Sequence, residues 1–133
     1  MAKYAMIIKK TSIFDEKVMI KTSPLLDIKA TRNDLKQVKA LHILAVNNEV
    51  KELLWVLDRD FNGEINIQTT NLLKTTQQTF QFYLNEEAET EANYSEPLTY
   101  LYEPNAAILK MGAFNSISSQ LNLNKLQKHS HLY

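Results

Sequence analysis

The sequence contains no cysteine and only two glycines, Gly63 and Gly112. Without cysteine there is no disulfide framework, no thiolate metal site and no cysteine nucleophile. With so little glycine there is no glycine-rich phosphate loop, no Walker A sequence and no dinucleotide fingerprint. No apolar run approaches the roughly 18 residues that a membrane helix needs. The run Met6-Ile7-Ile8 meets Lys9-Lys10 too soon to serve as a signal peptide, so a cytoplasmic location is the default expectation. Fifteen basic residues balance fifteen acidic ones. The basic surplus usual in nucleic-acid binders is therefore missing from the total.

What remains is enough for a packed core. The 133 residues are 44% hydrophobic and 23% charged, which suits one ordinary domain, or a small domain plus part of another. Charge is unevenly spread. Glu86, Glu87, Glu89, Glu91 and Glu96 crowd one segment, whereas no acid follows Glu103. The C-terminal stretch with Lys110, Lys125, Lys128, His129 and His131 is locally basic. It reads equally well as a nucleic-acid-binding patch and as a solvated tail.

Periodicity divides the chain into elements. Residues 3–12 carry Tyr4, Ile7 and Ile8 on one helical face. Val18-Met19-Ile20 reads as a buried strand, and Ser23-Pro24 as a helix start, with serine at the cap and proline in the first turn. Val38–Val46 predicts a second strand, so that strand, helix and strand form a parallel, right-handed βαβ unit. Val50, Leu53, Leu54 and Leu57 fall at i, i+3, i+4 and i+7 and predict a helix ending near Arg59. Residues 64–71 and 79–84 alternate and predict an antiparallel hairpin. The acidic stretch 85–96 reads as a linker, with a domain boundary near residue 92. Beyond it lie a short strand at 98–102, a helix opened by Pro104 and closed by a left-handed Gly112, and a further helix around Phe114, Ile117 and Leu121.

Several residues suggest chemistry, and each has a plain structural alternative. Asn47, Asn48 and Glu49 follow a strand, where ligands gather in open α/β sheets. They also suit a helix cap and its first-turn acid. Ser23, Pro24 and Asp27, with Lys21, face the same rim by the same logic, and again capping explains the serine and the acid. Tyr94, Tyr100, Tyr102 and Phe114 near Lys110 could stack bases and hold phosphates, although aromatics beside a strand more often belong to a core. His129 and His131 lie two apart with no nearby carboxylate, so no metal site is expected, and His42 suits packing within its strand. No serine sits in a nucleophile-elbow pattern.

Four stretches carry a resemblance: "VMIKTSPLLDI" (18–28), "HILAVNNEVKELLW" (42–55), "EPLTYLYEPNAAILKMGAF" (96–114) and "LNLNKLQKHSHLY" (121–133). Together they resemble the C-terminal part of a class I S-adenosylmethionine-dependent methyltransferase family of Bacteroidetes-type bacteria. Its members carry a THUMP-like, ferredoxin-like C-terminal module. The resemblance implies an α/β fold: residues 1–92 as the C-terminal half of a Rossmann-like sheet, and 93–133 as the start of an α+β module cut short at Tyr133. Val18–Lys21 would be the fifth strand, Leu41–Val46 the sixth, and the hairpin the antiparallel seventh.

The resemblance also implies functional positions. Ser23, Pro24, Asp27, Asn47, Asn48 and Glu49 would border the substrate side of the cleft, and Tyr102, Asn105 and Lys110 would serve RNA binding. Family members are longer, and their cofactor loop precedes the region matching Met1. The chain would then be a truncated methyltransferase that alone neither binds S-adenosylmethionine well nor transfers a methyl group. Two other readings stand beside it: a non-catalytic RNA- or partner-binding module, and one half of a split enzyme. An unpaired apolar edge at Val18–Ile20 would pair with a second copy or a complementary half, or be covered by the helix at 3–12.

Overall fold

The computed structural model describes residues 6–7 and 17–133. A six-stranded sheet forms the body. Its strands are β1 (Met6–Ile7), β2 (Lys17–Thr22), β3 (Val38–Val46), β4 (Glu49–Asp58), β5 (Asn66–Leu72) and β6 (Gln77–Tyr83). The spatial order is β1-β2-β4-β3-β5-β6. Among the described residues only β3 and β5 pair in parallel within the sheet; every other neighbouring strand pair is antiparallel. Among the described residues four helices accompany the sheet: α1 (Ile28–Asp34), α2 (Leu84–Glu89), α3 (Ala106–Met111) and α4 (Phe114–Leu121).

The largest departure from the sequence reading lies in residues 49–58. They form β4, not a helix, and Asn47-Asn48 is a hairpin turn, not a helix cap. Both asparagines have positive φ, 48° and 63°, as a two-residue type I′ turn requires. The helical spacing has a specific origin. The β3–β4 register shifts between Leu44, opposite Glu52, and Ala45, opposite Val50. That bulge adds one residue to β4 and resets its alternation. Val50, Leu53, Trp55 and Leu57 therefore all belong to the apolar cluster, and the three-residue step from 50 to 53 imitates a helix turn.

The β2–α1–β3 unit also differs from expectation. β2 and β3 run in the same direction, but they are not neighbours: β4 lies between them, antiparallel to both. α1 starts later than Ser23-Pro24 predicts. Asp27 caps it, with Oδ1 accepting from Ala30 N at 2.7 Å. Ser23 Oγ instead accepts from Leu25 N within the preceding turn. Met6 and Ile7 are strand, not helix, and pair with Lys21 and Ile20; the rest of the helix expected over 3–12 lies outside the described residues. The edge at Ile20 is thus taken by β1 rather than left unpaired.

The remaining differences are local. Residues 84–89 form α2 inside the expected linker, and 98–102 form no strand. The β5–β6 hairpin, α3 and α4 occur as the sequence predicts, and Gly112 ends α3 at φ +77°.

One sheet face holds the core. Leu41, Ile43, Ala45, Leu53, Trp55, Ile67 and Phe82 are buried there, joined by Ile28 of α1, Ala107 and Ile108 of α3 and Ile117 of α4. This single cluster takes residues from both sides of position 92. Burying a large side chain of this kind contributes about 1.5–3 kcal/mol. The opposite face, with His42, Leu44, Leu54 and Gln68, is half-exposed.

Candidate functional site

Two regions gather the residues that the sequence singles out. The first is the rim where the co-directional strands end. β2, β3 and β5 stop at Thr22, Val46 and Leu72. At this rim a chain of side-chain amides ties the β3–β4 turn to α3. Asn48 N donates to Asn71 Oδ1 at 2.9 Å, and Asn71 Nδ2 donates to Gln78 Oε1 at 2.9 Å. Asn105 Nδ2 reaches the same Gln78 oxygen at 3.2 Å. Asn48 Oδ1 accepts from Ala106 N at 2.7 Å, and Asn105 Oδ1 accepts from Ala107 N and Ile108 N. Asn71 is only 2% exposed, so its amide must be satisfied, and this network satisfies it.

Most of the expected substrate-side residues therefore have structural work. Ser23 and Asp27 stabilise the entry to α1. Asn48 links turn and helix. Glu49 pairs with Lys51 at 2.6 Å on the exposed surface. Asn47 donates its backbone N–H to Leu72 O at 2.8 Å, while its exposed side chain has no partner among the described residues.

The second region is a cleft of about 530 Å³ on the core face of the sheet. Leu41, Trp55 and Ile67 form its floor. α1 supplies Asp27, Ile28, Lys29 and Arg32; α2 supplies Leu84, Asn85, Glu87 and Ala88; α3 supplies Lys110 and Met111. The size falls in the roughly 300–1,000 Å³ range of small-molecule sites. The Trp55 Nε1 donates to the buried Thr22 Oγ1 at 3.0 Å, so its one polar atom is satisfied beneath the cleft, where the indole is itself buried.

The two predicted residue sets are thus divided and recombined. Asp27 and Lys110 share the cleft. Asn48 and Asn105 meet through α3 at the rim. Tyr102 and Asn105 line a separate groove of about 280 Å³ beside Pro104 and Gln78. Lys29, Arg32 and Glu87 escaped sequence reasoning. The i, i+3 spacing of Lys29 and Arg32 was the only signal, and it marks any exposed helix face equally well.

Among the described residues no group of three or more His, Asp or Glu side chains could hold a metal, and no helix is long and apolar enough to cross a membrane. His131 instead lies against the Phe114 ring at 4.2 Å. Two groups have displaced titration. The Lys39 ammonium, hydrogen-bonded to Asp58 at 3.2 Å, holds the Asp58 carboxyl below its ordinary range. Burial pushes the Tyr133 phenol well above its ordinary range, reinforced by the negative charge of Glu87.

Comparison with known proteins gives two matches. Residues 100–133, which hold α3 and α4, match the model of a ferredoxin-like domain. The structure is similar to the crystal structure of a "putative methyltransferase" from Porphyromonas gingivalis W83, with a TM-score of 0.81 and 36% identity. That similarity covers 89% of this chain but 31% of the Porphyromonas protein, so this chain spans about a third of that protein's length. No curated protein matches the sequence.

Proposed function

We propose that this chain is the C-terminal, substrate-facing part of a class I S-adenosylmethionine-dependent methyltransferase fold acting on RNA. The carrying observation is the co-directional pair β2 and β3, joined through α1, in a chain 36% identical to a putative methyltransferase. In this reading β2 and β3 are the fifth and sixth strands. The seventh is β4, which follows β3 directly and runs antiparallel to it, rather than the β5–β6 hairpin. The ferredoxin-like match at 100–133 supports a second module of that general type.

The described residues do not fit the cofactor. Gly112 closes α3, and Gly63 lies in the β4–β5 loop against the Phe61 ring. Neither opens a helix after a parallel strand, where such folds place their nucleotide loop. In this reading the chain alone neither binds S-adenosylmethionine nor transfers methyl groups. The substrate contact falls to the exposed side chain of Asn47, while Asn48 and Asp27 hold the rim in shape. Isothermal titration of the purified chain with S-adenosylmethionine tests this. No heat of binding is expected; micromolar binding would overturn it.

A second reading rests on exposed aromatics. Tyr100 and Tyr102 are 71% and 48% exposed, with ring centres 6.4 Å apart. Such a pair suits stacking on single-stranded bases in a non-catalytic RNA-binding module. Binding of short RNA should then weaken steeply with salt and fall on Tyr102→Ala. No binding at low salt removes this reading.

A further inference from the structure

We infer that the cleft between α1, α2 and α3 binds a small amphipathic anion, an apolar body carrying one carboxylate. The inference is independent of the methyltransferase reading, because it concerns neither the strand-end rim nor a methyl donor.

Charge around the cleft points to an anion. Its rim carries three cations, Lys29, Arg32 and Lys110, and two acids, Asp27 and Glu87. The acids are committed elsewhere. Glu87 uses both oxygens on α4, accepting from Asn115 N at 2.8 Å and Ser116 N at 2.7 Å. Asp27 accepts from Ala30 N at the start of α1. None of the three cations forms an ion pair among the described residues. The rim thus holds a cationic surplus with uncommitted donors.

The interior points to an apolar body. Leu41, Trp55 and Ile67 make the floor, with Ile65, Leu84 and Met111 beside them. With the Trp55 N–H already bonded to Thr22, Asn85 is the one neutral side chain in the lining left to hydrogen-bond a ligand. A nucleobase seated here would leave most of its polar edge unpaired, and each buried unpaired group weakens binding. An alkyl or aryl carboxylate leaves nothing unpaired: its body covers the floor and its charged end meets Arg32 and Lys110.

Trp55 is the only tryptophan of the chain, so its emission reports occupancy directly. The test titrates the chain with sodium decanoate at low salt, beside 1-decanol and adenosine monophosphate. A saturable change in Trp55 emission is expected for decanoate. Binding at least about tenfold weaker is expected for decanol, which lacks the charge. The double variant R32A/K110A should weaken decanoate by about tenfold, as two modest charge-assisted contacts are lost. Lys36→Ala, at a lysine outside the cleft lining, should leave it unchanged. Unchanged thermal melting of both variants separates lost binding from lost folding. No saturable response to decanoate through the low millimolar range overturns the proposal. So does equal binding of decanol, stronger binding of the nucleotide, or indifference to R32A/K110A.

Discussion

The side chain of Asn48 accepts a 2.7 Å hydrogen bond from the backbone of Ala106, which lies 58 residues further along the chain. A hairpin turn thereby satisfies the first free N–H of a distant helix. Asn48 meets two demands at once, a positive φ and an acceptor, and two substitutions separate them. Asn48→Gly keeps the turn and loses the acceptor, and should cost about 1 kcal/mol. Asn48→Ala loses both, and should cost about 1 kcal/mol more through the left-handed backbone. Urea denaturation of the three proteins measures the two steps.

Trp55 and Thr22 form a buried pair across β4 and β2. Thr22→Val preserves shape but strands the indole N–H. The expected loss is about 1–3 kcal/mol, larger than the bond itself contributes, because the donor stays buried. Trp55 emission should change little, whereas the denaturation midpoint should fall.

Asp58 titrates below the ordinary aspartate range because Lys39 donates to its carboxylate. A depressed carboxylate stabilises the fold above its unfolded pKa, and that contribution disappears as pH falls through the lowered folded value. Asp58→Asn should therefore be less stable than the parent near neutral pH. The two curves should converge in strong acid, in melts recorded from neutral to acidic pH.

Tyr133 behaves in the opposite sense. Its phenol is buried, donates to Phe114 O at 2.7 Å and resists ionisation. A raised folded pKa contributes stability below the unfolded tyrosine pKa of about 10, and that contribution is lost as pH climbs toward the folded value. Spectrophotometric titration should show one of the six tyrosines ionising late or only on unfolding. Tyr133→Phe should cost about 1 kcal/mol near neutral pH and blunt the alkaline loss.

How much was legible in the sequence depends on where bulges fall. The β5–β6 hairpin was legible because Ile67, Phe80 and Phe82 keep a strict period of two. α3 was legible from its ends, Pro104 before it and Gly112 after it. β4 was not, because the bulge at Lys51–Glu52 breaks the alternation with a step of three. The turn was missed for a related reason. Asn-Asn carries no glycine, yet asparagine enters the left-handed region more easily than other side-chain-bearing residues. The candidate site was half legible. Asn47 and Asn48 were singled out from a strand end, and Asn105 from the family resemblance. The cleft was not, since it brings together three helices whose packing no local pattern reports.

The insertion of β4 between β2 and β3 implies an order of assembly. β3 and β4 are joined by two residues and zip together at little entropic cost. β2 has no contact with β3 in the sheet and must find the far side of a finished hairpin, pairing Thr22 with Leu53 across a long excursion through α1. The hairpin is thus the template and β2 the late arrival. Pulse-labelled amide exchange during refolding should protect residues 41–56 before residues 18–22.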